Sequence, residues 1–185
     1  VLSIEKIILP ILIAGFLSGC SQSDSYGELT DYIEETRVED TFKELRDAKE
    51  MPISDALKEL AFEPKQINVA KLPFKVEEKT VRVTQTKDNS QMIEFNYTGP
   101  EHELVFIAEN SVEFKEDSSI KYEEIHIDKG RIALFGEGGQ SQDVTWIEGD
   151  KSYLLRINYL ETEGVTPEKL SKEEVTKMVD ELQEP

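Results

Sequence analysis

The chain holds a single thiol, at Cys20, and no other residue has chemistry as specific. It ends the stretch Leu17-Ser18-Gly19-Cys20, which closes an apolar run beginning at Ile7. Small side chains at Ser18 and Gly19 leave the backbone in front of Cys20 open to approach, and the thiol is a nucleophile that can take a covalent group. Other reactive types are spread thinly. The two histidines, His102 and His126, have no Asp, Glu or Cys around them at ligand spacing. His126, between Ile125 and Ile127, is expected on the solvated face of a strand. The acidic pairs Glu34-Glu35, Glu116-Asp117 and Glu123-Glu124 supply the residue type for glycoside chemistry, which needs two carboxylates at a defined separation in a cleft. In so acidic a chain nothing singles out one pair. Gly136-Glu137-Gly138-Gly139 lacks the Lys and Ser/Thr that complete a phosphate loop and is expected to be a hairpin loop. Trp146 is expected in the core beside a C-terminal helix, with an exposed aromatic platform as the alternative. These residues assign no catalytic group, no cofactor and no metal ligand, and leave Cys20 as the candidate for covalent modification.

The stretch ending at Cys20 resembles the lipobox of bacterial lipoprotein signal peptides. The apolar run is about 11 residues, short of the roughly 20 that a transmembrane helix needs, and has the length of a signal-peptide core. Pro10 and Gly15 interrupt it, and Lys6 at its front is offset by Glu5. The rival, a buried core helix with a structural cysteine, leaves the polar stretch Ser21 to Ser25 unexplained. The resemblance implies that residues 1–19 are a signal peptide and that Cys20 becomes the lipid-bearing N-terminus. It places the chain on the outer face of the bacterial cytoplasmic membrane, or on the outer membrane in a Gram-negative source. Stable attachment takes more than one acyl chain, which the lipoprotein pathway supplies. With its only thiol lipidated, the chain would have no disulfide, thiol nucleophile or thiolate metal site.

Lys and Arg total 21 against 39 Asp and Glu, a formal net charge of −18 over 185 residues. Such a surface repels nucleic acid and anionic lipid, both of which bind through cationic neutralisation. The expected partners are therefore the membrane, through lipidated Cys20, and an envelope protein, with nucleic acid excluded.

Residues 20–50 have the composition of an acidic tether. Ser, Gln, Asp and Gly dominate its start, and Val38, Phe42 and Leu45 then form one thin apolar stripe, enough for a marginal helix or for none. Residues 51–185 are expected to be a single domain. A short helix is expected after Pro52, with Ser54 as N-cap and Ile53, Leu57, Leu60 and Ala61 on one face. Alternation then marks strands through Ile67 and Val69 and through Leu72, Phe74 and Val76, with a phase slip near Lys71 that suggests a bulge. Further strands are expected at Val81–Thr86 and Met92–Tyr97, joined by Lys87-Asp88-Asn89-Ser90, and at Leu104–Ala108 in a central position. Ile120–Ile127, with a bulge at Glu123-Glu124, then Arg131–Phe135, Asp143–Ile147 and Lys151–Leu160 complete the set. Gly149 provides a tight turn between the last two. Ser171 and Glu174 have capping-box spacing, Leu170 and Val175 that of a hydrophobic staple, and Val175, Met178, Val179 and Leu182 share one face of the helix that follows. With no helices between strands, the expectation is an α+β fold: an antiparallel, bulged, multi-stranded sheet with the C-terminal helix packed on it and short N-terminal helices.

The order of Leu72-Pro73-Phe74-Lys75-Val76, Val144-Thr145-Trp146, Tyr153-Leu154-Leu155 and the helix Leu170 to Leu182 resembles a family of uncharacterised extracytoplasmic domains of Bacillus-type bacteria. These domains occur in lipoproteins and in membrane proteins related to sporulation and sigma-factor regulation. The resemblance implies an α+β domain with no defined activity and transfers no catalytic residue. The expected function is a non-enzymatic, protein-binding or envelope-sensing domain. The alternatives are a carrier holding an apolar ligand in a curved sheet and, after it, a hydrolase using paired carboxylates.

Overall fold

The computed structural model describes Lys43 and residues 45–86, 89–112, 117 and 119–183. Cys20 with the whole lipobox, and the acids Glu34, Glu35 and Glu116, lie outside the described residues.

Among the described residues seven strands form one sheet: β1 (Glu78–Gln85), β2 (Gln91–Thr98), β3 (His102–Glu109), β4 (Lys121–Ile127), β5 (Arg131–Glu137), β6 (Ser141–Glu148) and β7 (Lys151–Tyr159). Their spatial order is β1-β2-β3-β7-β6-β5-β4, and every pairing is antiparallel. Two meanders, β1 to β3 and β4 to β7, are therefore joined side by side at the β3–β7 pair. The chain leaves β3 in the middle, crosses to the far edge and returns strand by strand.

The alternation of side chains gives the sheet two unlike faces. Helices α1 (Ile53–Glu59) and α2 (Lys172–Asp180) cover one face. That face contributes Phe95, Phe106, Trp146, Tyr153, Leu155 and Ile157 to a core that also takes in Ala56 of α1 and Val175, Met178 and Val179 of α2. Trp146 is fully buried there, stacked on Tyr153 at 5.1 Å and on Phe106 at 6.2 Å, so it is no exposed platform. The opposite face, called the far face below, has a small apolar patch of Met92, Val105, Ile107 and Leu154 closed by Leu45, a buried Leu134 on β5, and many polar and charged side chains. Leu45, inside the stretch expected to tether, is fully buried.

The hairpins agree with the turn chemistry. Thr86 N donates to Ser90 O across the β1–β2 loop, where Asn89 takes φ +70°. Gly149, at φ +66°, makes the two-residue β6–β7 turn with Asp150. The start of α2 forms the full capping box, with Glu174 N donating to Ser171 Oγ at 3.3 Å and Ser171 N to Glu174 Oε2 at 2.8 Å.

Four local expectations are corrected. Ser54 is not the N-cap of α1, because the helix begins at Ile53 behind Pro52, with no side-chain cap. The residues from Ile67 to Val76 form no strand. Val69–Lys71 is a 3-10 turn whose cap, Asn68, accepts from Ala70 N. After that turn Leu72, Phe74 and Val76 lay alternate side chains on the core without a ladder. Pro73 has no N–H for such a ladder, and Lys75 O lies so close to Gly99 that a Cβ there would sit 2.2 Å away. No bulge interrupts β4 at Glu123-Glu124: its register with β5 is continuous from Lys121↔Glu137 to Ile127↔Arg131. The apparent phase change arises because Ile120 precedes the strand while Tyr122 points to the far face. Gly136 and Glu137 belong to β5, so the loop is confined to 138–140.

Replacing Ser171 with Ala is expected to cost about 1 kcal/mol, the usual worth of a helix N-cap. Urea denaturation followed by Trp146 fluorescence measures it, and Ser171→Asp should recover most of the loss.

Candidate functional site

The charged residues with the most built surroundings lie on the far face, and their sequence signal is slight: a lone charge inside an apolar strand. Asp143 interrupts the apolar end of β6 and Arg156 interrupts Tyr153–Tyr159 in β7, directly opposite it in register. Arg156 grips the carboxylate with a fork, Nε to Oδ1 at 2.7 Å and Nη2 to Oδ2 at 2.5 Å. Tyr122 of β4 donates its hydroxyl to Asp143 Oδ2 at 3.0 Å. Its ring can cross the intervening strand because residue 136 is glycine; a Cβ there would lie 2.6 Å from the ring. Asp117, in the β3–β4 crossover, donates its N–H to the Tyr122 hydroxyl at 3.0 Å and takes Arg156 Nη2 on Oδ2 at 3.3 Å.

Asp143 is fully buried and the Arg156 side chain is 12% exposed. Burial works against the guanidinium charge, but Asp143 outweighs it and holds the Arg156 pKa above its usual range. Burial, then the Asp143 charge, pushes the Tyr122 phenol far up, so it stays a donor at any physiological pH. Burial also opposes the Asp117 carboxylate, yet hydrogen bonds from Ser119 and the Arg156 charge hold its pKa below the usual carboxylate range. Tyr122 and Arg156, both bonded to Asp143 and to Asp117, fasten the crossover to the sheet.

Two more clusters follow the same rule. Arg82 of β1 bonds Glu94 of β2 at 2.9 Å and Glu50 at 2.5 Å. Burial raises the Glu94 pKa, with Arg82 acting against it. On β3, Glu103 accepts from Asn96 of β2 at 2.9 Å and from Asn158 of β7 at 2.8 Å, one amide to each oxygen. Each cluster ties one strand to the next.

The residues singled out from the sequence do not converge. His102 lies on the helix face, stacked on Phe74 at 5.0 Å and edge-on to Tyr159 at 5.4 Å. Its Nε2 has no hydrogen-bond partner among the described residues. Burial lowers the His102 pKa, with Glu101 opposing. His126 is exposed on edge strand β4, as its alternation implied. Glu123 points to the helix face and pairs with Lys172 of α2 at 2.5 Å, while its neighbour Glu124 is exposed. Among the described residues no three His, Cys, Asp or Glu side chains are grouped to hold a metal ion, and no helix is long and apolar enough to cross a membrane. Compared with protein-family models, with curated proteins and with solved structures, the chain finds no match.

Asp143→Asn is expected to destabilise the protein by about 3 kcal/mol, the low end for breaking a buried ion pair, because Asp117 still faces the guanidinium. Equilibrium unfolding at neutral pH tests it. Glu94 titrates with the opposite sign to Asp117. Its raised folded-state pKa gives stability that is fully present below the unfolded value and lost as pH rises through the folded one. The stability of wild type relative to Glu94→Gln should therefore fall as pH rises from the ordinary carboxylate value, about 4, through the higher folded-state one. Parallel denaturation curves across that range check it, and a rising difference would contradict the burial argument.

Proposed function

We propose that the chain is a lipid-anchored extracytoplasmic lipoprotein whose α+β domain binds a protein partner or senses the state of the envelope, without catalysis of its own. The observation that carries this reading is Leu17-Ser18-Gly19-Cys20, the stretch with the most specific chemistry in the chain, and its chemistry belongs to an export and acylation pathway. The far face supports it: Asp143, Glu94 and Glu103, the acids with the most built surroundings, bond side chains of neighbouring strands. In this reading residues 1–19 are removed, Cys20 carries the lipid on the outer face of the cytoplasmic membrane, and the acidic chain after it leads to the sheet. The net charge of −18 keeps the domain off an anionic bilayer and favours a partner surface with basic residues. The order of strings noted above supports reading the domain as one of the Bacillus-type extracytoplasmic family that it resembles.

Metabolic labelling with an alkyne-tagged palmitate tests the anchor. The wild-type chain should take label and sediment with membranes, and Cys20→Ala should lose both; a variant that stays membrane-bound would contradict the assignment. Affinity capture from envelope extracts tests the role, with one stoichiometric protein expected. An extractable apolar small molecule in its place would favour the carrier.

A further inference from the structure

The two edges of the sheet are protected differently. An unpaired strand edge invites pairing with another chain, and proteins blunt such edges with charge or cover them. On β4 the exposed residues are Lys121, Glu123, Glu124 and His126, a charged edge. The middle of β1 is Thr80-Val81-Arg82-Val83-Thr84, rich in β-branched residues suited to pairing. Residues 45–51 guard it. Leu45 sits on the far face, fully buried against Met92, Val105, Ile107 and Leu154. Ala48 N donates to Leu45 O at 3.1 Å to close a turn, and Glu50 then forms an antiparallel bridge to Arg82. Met51 N donates to Val81 O at 3.0 Å, and the Glu50 carboxylate bonds the Arg82 guanidinium. After Pro52 the chain enters α1, whose Ala56 is buried in the helix-face core. One short segment therefore passes from the far face, over the outer edge of β1, to the helix face.

We propose that residues 45–51 are a detachable strap: an internal occupant of the β1 edge and far-face patch that gives way to an extended segment of a partner protein, which then pairs with β1. The strap shows what such a segment needs. It supplies a backbone N–H to Val81 O, a carboxylate to Arg82, and a leucine-sized side chain to the patch of Met92, Val105, Ile107 and Leu154. Among the described residues the strap meets β1 through one bridge, whereas β1 spans Glu78–Gln85, so a longer strand would have more edge to pair with than the strap uses. Glu50 is half exposed, so its bond to Arg82 exchanges readily with a competing carboxylate. The inference rests on the protein-binding reading above and names the surface it would use.

A fluorescent peptide copying residues 43–53 serves as the probe, titrated against the full chain in detergent. Strap and peptide compete for one site, so loosening the strap must raise the apparent affinity of the peptide. Leu45→Ala should bind it at least about tenfold more tightly than wild type, and Glu50→Gln should shift it in the same direction by less. A peptide with Asp in place of its leucine should not bind either variant. Hydrogen exchange of the wild-type chain should show residues 45–51 exchanging well before β3 and β7. Equal peptide binding by wild type and variants would overturn the proposal. So would exchange of the strap only together with β3 and β7. If Leu45→Ala fails to fold, Glu50→Gln and the exchange measurement decide. Failure here, with envelope capture still yielding a stoichiometric partner, would move the partner to another surface and leave the binding reading standing.

Discussion

The pairing of β3 with β7 is the constraint on which the rest of the molecule depends. Its eight-residue register, His102↔Tyr159 to Glu109↔Ser152, is the contact that turns two meanders into one sheet. Local turns guide the other pairings; this one joins strands far apart in the chain and meets the full entropy of closing the segment between them. The return comes from area. Leu104, Phe106 and Ala108 face Tyr153, Leu155 and Ile157 on the helix face, and Val105 and Ile107 lie beside Leu154 on the other. Both sides of the seam are buried, which accounts for the near-continuous apolar run through Leu104–Ala108.

The two faces hold that seam by different physics. On the helix face the driving term is apolar burial, concentrated in the stack of Phe106, Tyr153 and Trp146, where near-parallel rings add to the area removed from water. On the far face the strands carry charges already out of water. A buried pair gains little over an apolar substitute, but half of one is costly. The far-face clusters therefore act mainly against wrong registers. A two-residue slip of β7 against β6 would leave Arg156 without Asp143, and a slip of β2 against β1 would part Arg82 from Glu94. The glycine at 136 belongs to the same device, since Tyr122 reaches Asp143 only across a strand position with no side chain.

Much of the fold was legible because its signals are local. The turns at Asn89 and Gly149, the Ser171/Glu174 capping box and the alternation of β2, β6 and β7 each lie within a few residues. What was not legible depends on partners distant in sequence. Leu72, Phe74 and Val76 alternate as a strand does because one side packs on the core, and the missing ladder follows from Pro73 and the close approach at Gly99. Asp143, Arg156 and Tyr122 come from three strands, and no spacing in the chain announces their meeting. The stretches Asp88–Tyr97 and Asp150–Tyr159 match at their Asp, Ser, Asn and Tyr positions, and they show how far a local signal carries. Their strands β2 and β7 flank β3, run in the same direction and bury the same face, yet β1 lies outside β2 on one side and β6 outside β7 on the other. Hairpins of opposite sense cannot be copies of one unit, so the likeness records similar burial.

Stability and recognition are separable in this architecture. The seam, the aromatic stack and the Asp143 cluster form one connected block reaching from β3 to β4. The strap at residues 45–51 lies along the β1 edge outside that block, held to β1 by a carboxylate and a backbone hydrogen bond, and touches the block through Leu45 alone among its contacts named above. Local openings cost least where few groups are ordered at the periphery of a sheet, and removing the strap breaks the single bridge to Arg82 and none of the pairings among β1 to β7. An incoming strand could then pair with β1 while β3–β7 stays closed, and it would meet the bond pattern that the chain already satisfies with itself.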